Sequence, residues 1–185
     1  MAAPHNKNRY GELWPQVKIK ACLSELNAIK LHVIISGGWA WHFMSPVGHA
    51  ELKHAHDHKD IDIFVPPENV GTVIGILMRN EFKKAPTVYD KLQNNSDFRR
   101  YEKVVRPEKG DDPLPFRVTI DFFVRKDIEP IEINGWKVVN PKQLLSFYSD
   151  IHSSDNCFAV KAASNLLARG ISPIGREELM QIPKE

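Results

Sequence analysis

Three aspartates on two apolar segments are the residues of this sequence whose type and spacing best suit chemistry. Asp60 and Asp62 lie in the alternating segment 60–65, and Asp121 lies in the apolar segment 116–124. Strand side chains alternate between two faces, so Asp60 and Asp62 share one face while the isoleucines between and after them point into the core. If the two strands are neighbours, the three carboxylates converge and repel one another unless a cation neutralises them. Oxygen-only clusters suit Mg²⁺ or Mn²⁺, so the pattern predicts a divalent-metal site.

A half-exposed strand whose acids face water is the alternative, and it is the better interpretation for an isolated Asp-x-Asp. Both acidic segments are otherwise strongly apolar, which favours positions in the middle of a sheet. The first also follows a strand pattern that ends in Gly37-Gly38. These two features favour the metal site over the solvated strand.

A glycine turn stands before the acidic strands. The β-branched run 32–35 leads into Ser36-Gly37-Gly38, and a helical pattern follows at 39–44. Such a turn can present successive backbone N–H groups to an anion, and a helix start adds partial positive charge. Ser36, Gly37 and Gly38 are therefore predicted to hold phosphate. A Gly-Gly pair alone is also what a simple tight turn requires, so the prediction depends on the order of the motifs around it.

The elements that must position these residues alternate between helical and strand patterns. The helical patterns cover 10–30, 39–44, 68–82, 141–148 and 158–169, with a last short helix after Pro173. The strand patterns cover 32–35, 60–65, 87–92, 98–105, 116–124 and a hairpin at 132–139 that turns at Asn134-Gly135. Interleaving of this kind predicts an α/β (α+β) fold with a central mixed sheet flanked by helices and a helical C-terminal part.

Composition limits the classes of protein that fit. The 185 residues are 42% hydrophobic and 26% charged, which indicates one globular domain over 10–185 behind a flexible tail at 1–9. A net charge of +2 is too small to indicate nucleic-acid binding by itself. No apolar run approaches the ~18 residues that span a membrane, and the N-terminus has no secretory pattern. Two cysteines without CxxC spacing indicate reduced thiols, so a cytoplasmic protein is expected.

The order of these motifs resembles the nucleotidyltransferase-fold superfamily, and within it the small antibiotic nucleotidyltransferases of the aminoglycoside and lincosamide type. The resemblance rests on Gly37-Gly38-Trp39-Ala40 and on His58-Lys59-Asp60-Ile61-Asp62-Ile63. It continues through residues 140–145 to a helix led by Lys161. Only the first two blocks are specific.

The resemblance implies the nucleotidyltransferase fold and an activity. A nucleoside monophosphate would move from a nucleoside triphosphate to a hydroxyl-bearing acceptor, with release of pyrophosphate. Asp60, Asp62 and Asp121 would be the catalytic residues and would hold Mg²⁺ or Mn²⁺, with Asp121 also a candidate general base. The phosphates would be bound by Ser36, Gly37, Gly38 and Lys161. Substrate contacts would come from Trp39, His58 and Arg117.

Several of these residues also have a purely structural explanation. Lys161 is equally well explained as an exposed helical lysine, Trp39 as a core residue, and Arg117 as the partner of a neighbouring acid. His42, Ala162 and Asn165 stand where the family usually carries acids, which favours a catalytically silent binding module of the same fold. The intact carboxylates favour the enzyme.

A third interpretation is a toxin-like nucleotidyltransferase that modifies RNA. It rests on residues 83–109, which hold eight Lys or Arg against four Asp or Glu. Such an excess could attract an anionic acceptor, but a solvated, salt-bridged pair of strands is the better explanation, because few aromatic residues suited to base stacking lie there.

Overall fold

The structure, a computed structural model, describes residues 16–44, 60–91, 97–106 and 115–149, and the statements below concern these residues. The helices are α1 (Gln16–Ile29), α2 (Gly37–Met44), α3 (Val70–Arg79) and α4 (Pro141–Ser149). The strands are β1 (Ile34–Ile35), β2 (Ile61–Val65), β3 (Lys83–Ala85), β4 (Phe98–Val105), β5 (Phe116–Val124), β6 (Pro130–Ile133) and β7 (Trp136–Val139). Short 3₁₀ turns cover Pro67–Asn69 and Val88–Lys91.

The seven strands form one mixed sheet in the order β3-β4-β5-β2-β1-β7-β6. Strands β2 and β5 run parallel at its centre, β1 and β7 also run parallel, and the other neighbours are antiparallel. The prediction of an α/β fold around a central mixed sheet is therefore confirmed. The helices expected at 158–169 and after Pro173, and the tail 1–9, lie outside the described residues.

The central strands separate an apolar face from an acidic one. Ile61, Ile63, Ile120 and Phe122 are almost fully buried on one face, at exposures of 1% or less. Burying a side chain of this size contributes about 1.5–3 kcal/mol, so these positions hold β2 and β5 in the middle of the sheet. Every residue of α2 is buried as well, and this short helix packs on β2 and β7. The core thus fixes the two acidic strands and the glycine turn relative to one another.

The region after α3 differs from its prediction. A strand near 87–92 was expected, but β3 lies earlier, at Lys83–Ala85, and a 3₁₀ turn occupies Val88–Lys91. The reason is local: the backbone N–H and the hydroxyl of Thr87 both donate to Asp90 Oδ2, at 2.6 and 3.0 Å. The Asp90 carboxylate thus caps the start of a helical turn, and a helical turn cannot continue a strand.

Smaller boundary differences also have local causes. Helix α2 begins at Gly37 rather than at residue 39, because Ala40 N–H already donates to Ser36 O at 3.1 Å. Strand β1 begins only at Ile34, since His32 N–H donates to Ile29 O at 2.9 Å and continues the turn that ends α1. None of the described helices combines the length and hydropathy needed to cross a bilayer.

Candidate active site

The acids of the two central strands lie side by side. In the parallel pairing of β2 with β5, Asp62 stands opposite Asp121, and Asp60 lies two residues before Asp62. Adjacent strands are about 4.8 Å apart, so the carboxylates of Asp62 and Asp121 leave the same face as direct neighbours. Asp121 is 6% exposed, which places its charge in a largely desolvated position. The expectation that the two acidic strands are neighbours is confirmed.

The glycine turn lies directly against one of these acids. Gly37 has φ +60°, and a β-carbon added there would lie 2.0 Å from Asp62 Oδ2. The position therefore needs glycine for two reasons, a left-handed backbone and a carboxylate in the space of the missing side chain. Ser36 N–H donates to the Asp62 carbonyl at 2.9 Å, which joins the turn to β2. The turn and the acidic strand form one unit.

Arg100 is the residue of this site that the sequence did not single out. It lies on β4 opposite Asp121, and its Nε and Nη2 donate to Asp121 Oδ1 and Oδ2, both at 2.6 Å. Its Nη2 is also 3.5 Å from Asp60 Oδ2. The hydrogen bonds to Asp121 raise the pKa of Arg100 above its ordinary value, with a smaller contribution from the charges nearby. The available signal was only its place in the basic segment, because the β4–β5 register cannot be deduced from local sequence.

The residue types at this site suit a divalent cation. Three carboxylates on one face supply the hard oxygen ligands that Mg²⁺ and Mn²⁺ prefer, and the missing side chain of Gly37 makes room for the Asp62 carboxylate. Within the described ranges, however, no three His, Cys, Asp or Glu side chains are arranged so as to hold a metal ion. Both carboxylate oxygens of Asp121 instead accept hydrogen bonds from Arg100. Metal binding at Asp60, Asp62 and Asp121 stays a prediction.

The other predicted site residues lie in different surroundings. Trp39 is fully buried, and its indole ring lies 5.2 Å from the imidazole ring of His42. Its burial agrees with the core role that was the alternative, and a substrate contact by Trp39 stays a prediction. Arg117 is exposed on the Asp121 side of β5, four residues away, and pairs with Glu102 at 3.2 Å. His58 and Lys161 lie outside the described residues.

The basic segment is largely a network of ion pairs where it is described. Lys84 pairs with Asp90, and Lys103 pairs with Glu25 of α1. A cavity of about 530 Å³ opens along β3, β4 and β5, and its lining mixes lysine and arginine with Glu81 and Glu102. This agrees with the explanation of salt-bridged strands, and RNA as acceptor stays a prediction.

Structural comparison matches the chain to several solved structures. JHP933 from Helicobacter pylori superposes with a TM-score of 0.54 at 10% identity, over 78% of this chain and 64% of that one. This chain thus spans less than two thirds of the length of JHP933. A crystal structure of ANT(2″)-Ia in complex with adenylyl-2″-tobramycin matches at a TM-score of 0.46 and 11% identity, over 90% and 93% of the chains. A solution structure of the same antibiotic-resistance factor matches at a TM-score of 0.47 and 14% identity.

The two ANT(2″)-Ia structures match at TM-scores below 0.5. No protein-family model matches the chain, and no curated protein sequence is significantly similar to it. Similarity of fold at 10–14% identity transfers neither substrate nor activity. The function therefore has to be argued from the site itself.

Proposed function

We propose that this protein is a metal-dependent nucleotidyltransferase, which moves a nucleoside monophosphate from a nucleoside triphosphate to a hydroxyl-bearing acceptor. One observation carries the proposal: Asp62 and Asp121 stand in register on neighbouring parallel strands, with the Gly37 turn closed against Asp62. The order of motifs along the chain supports it independently, since Gly37-Gly38-Trp39-Ala40 and Asp60-Ile61-Asp62-Ile63 resemble those of small antibiotic nucleotidyltransferases.

The reaction assigns a separate task to each part of the site. The acceptor hydroxyl oxygen forms a bond to the α-phosphorus, the bond from that phosphorus to the β-phosphate bridging oxygen breaks, and pyrophosphate leaves. Asp121 takes the hydroxyl proton, a role that its position on the same face as Asp62 permits. Asp60, Asp62 and Asp121 would hold Mg²⁺ or Mn²⁺, which when bound neutralises the triphosphate and the leaving pyrophosphate.

The glycine turn is suited to the phosphates that leave. Gly37 and Gly38 form the first residues of α2, where backbone N–H groups have no partner within the helix. These donors and the partial positive charge of the helix start favour an anion. Ser36, Gly37, Gly38 and Lys161 are proposed to bind the triphosphate, and His58 and Arg117 to contact the substrates.

A non-catalytic binding module is the second candidate, and one observation favours it. Arg100 takes both carboxylate oxygens of Asp121, the acid proposed as general base. A module of this kind would bind nucleotide without a requirement for a divalent ion. The two candidates therefore differ in whether nucleotide binding depends on the metal.

Thermal unfolding with added ligand tests the proposal. The wild type is titrated with each nucleoside triphosphate, with and without Mg²⁺, beside Asp62→Asn and a control, Asp127→Asn, which removes an exposed acid outside the site. A hundredfold excess of ligand over its dissociation constant should raise the free energy of unfolding by about 2.7 kcal/mol. We expect that rise in the wild type and in Asp127→Asn with Mg²⁺ present, and its loss in Asp62→Asn. No rise in the wild type would contradict the proposal, and a rise independent of Mg²⁺ would favour the binding module.

A further inference from the structure

We propose that Arg100 is a built-in counter-ion of the acidic site, and that a divalent cation must displace its guanidinium from Asp121 in order to bind. The inference rests on the proposed function, because it concerns the same carboxylates. It adds a residue that the motif resemblance does not include. It also explains why these acids are close in the fold without being arranged around a common point.

The backbone, as well as the side chain, directs Arg100 to this place. Arg100 and Asp121 are direct partners in the antiparallel pairing of β4 with β5, so their side chains leave the same face. The planar guanidinium then meets the carboxylate in the two-pronged geometry that makes arginine pairs strong, with both contacts at 2.6 Å. A loose surface arginine would not be held to one acid by register and by two hydrogen bonds together.

The charges across this part of the sheet do not balance. Asp62, Asp121 and Arg100 occupy adjacent strands in one row, and Asp60 approaches the same guanidinium at 3.5 Å. This row and its Asp60 neighbour therefore hold three carboxylates and one guanidinium, and Asp121 and Asp60 are the two acids that approach it. Arginine stays charged at every pH at which the protein is folded, so Arg100 neutralises part of this charge permanently. A divalent cation bound at this row would neutralise carboxylate charge in addition to Arg100.

The guanidinium and the cation compete for the same oxygen atoms. Both Oδ1 and Oδ2 of Asp121 accept from Arg100, and a metal ion held by Asp121 needs at least one of them. The Arg100 side chain is 36% exposed, so it has an open side toward which it can turn when it is displaced. The wild type therefore binds a divalent ion more weakly than the acids alone would.

Mn²⁺ binding to Arg100 variants tests this directly, followed by electron paramagnetic resonance of the free ion and by thermal unfolding. Arg100→Gln removes the competing charge, and Arg100→Lys keeps a charge but loses the paired hydrogen bonds to both oxygens of Asp121. The matched control is Arg99→Gln, since Arg99 lies on the other face of β4 over the Phe122 ring, 5.5 Å from its centroid. Asp62→Asn combined with Arg100→Gln checks that the ion is bound at this site.

We expect Arg100→Gln to bind Mn²⁺ about tenfold more tightly than the wild type, which corresponds to 1.4 kcal/mol. Its melting temperature without metal should fall, and saturating Mn²⁺ should restore it. Arg100→Lys should lie between the two, and Arg99→Gln should bind Mn²⁺ as the wild type does. The Asp62→Asn/Arg100→Gln protein should lose the tighter binding.

Three results would overturn this inference, and they differ in what they say about the proposed function. Equal or weaker Mn²⁺ binding by both Arg100 variants, while the wild type binds, overturns the counter-ion role and leaves the metal site standing. No Mn²⁺ binding by the wild type or by either Arg100 variant overturns the metal site and the inference with it. Tight binding that survives in the double variant places the ion elsewhere and also overturns the inference.

Discussion

Two ion pairs on strand β4 point to opposite faces of the sheet and differ in their balance of charge. Lys103 contacts Glu25 of α1, and Glu25 also accepts a hydrogen bond from Asn80 at 3.2 Å. Arg100, three residues earlier, contacts Asp121 and approaches Asp60. The first pair matches one cation with one acid and joins a helix to the sheet. The second pair lies in a row that also holds Asp62, with Asp60 at 3.5 Å from the guanidinium, so acids outnumber the arginine there.

The largest loss of stability is expected at the contact between Gly37 and Asp62, on the face of the sheet that carries Arg100 and Asp121. Gly37→Ala places a β-carbon 2.0 Å from Asp62 Oδ2 on a backbone with φ +60°. Strain and the displaced carboxylate together should lower the free energy of unfolding by about 3 kcal/mol or more. Urea denaturation measures this. The control is Gly71→Ala in α3, where an added β-carbon would meet no neighbouring side chain or other segment within 4 Å. Helix propensity should there raise the free energy of unfolding by about 0.5–1 kcal/mol.

Equal losses in the two glycine variants would mean that the Asp62 contact has no energetic weight. The acidic strand and the glycine turn would then not form the single unit inferred above.

A smaller loss of stability is expected at the pair of Lys103 and Glu25 on the opposite face. Glu25→Gln leaves the ammonium of Lys103 beside a neutral amide in a position where the two side chains are only 10% and 20% exposed. Breaking a buried pair from one side costs roughly 3–5 kcal/mol, and partial solvation reduces this to about 2 kcal/mol. Combining Glu25→Gln with Lys103→Met in a double-mutant cycle gives the interaction itself. A cycle with no coupling would remove the structural role assigned to this pair.

The smallest change in stability is expected for Asp62→Asn, and it best distinguishes the two faces of the sheet. Asp62→Asn keeps the shape of the side chain and removes one of the crowded charges, so the metal-free protein should gain up to about 1 kcal/mol or stay unchanged. Chemical denaturation in the presence of a chelator measures this. A loss above about 2 kcal/mol would show that Asp62 behaves like Glu25, as a structural acid, and the contrast between the two faces would fail.

Much of this contrast could be predicted from the chain alone, because parts of it follow from local rules. Alternation along β2 and β5 places Asp62 and Asp121 on faces opposite their buried neighbours, and strongly apolar strands belong in the centre of a sheet. The Gly-Gly turn after a buried strand was equally readable.

The remainder depends on contacts between distant segments. Arg100 meets Asp121 because β4 pairs with β5 in one register, and a shift by one residue would turn it to the other face. Nothing in the residues around Arg100 specifies that register. The prediction of a strand at 87–92 was wrong for a different reason. The Thr-x-x-Asp sequence from Thr87 to Asp90 is a local signal for a helical turn, and it outweighs the strand pattern there.

The contact between Gly37 and Asp62 has an evolutionary consequence. As long as a carboxylate fills the space beside residue 37, that position admits no side chain. A lineage that replaces Asp62 by a smaller residue loses this spatial constraint, although the left-handed backbone continues to favour glycine or asparagine. Residues 37 and 62 should therefore change together across related sequences, and an Asn at the turn would mark relatives that have abandoned the acid.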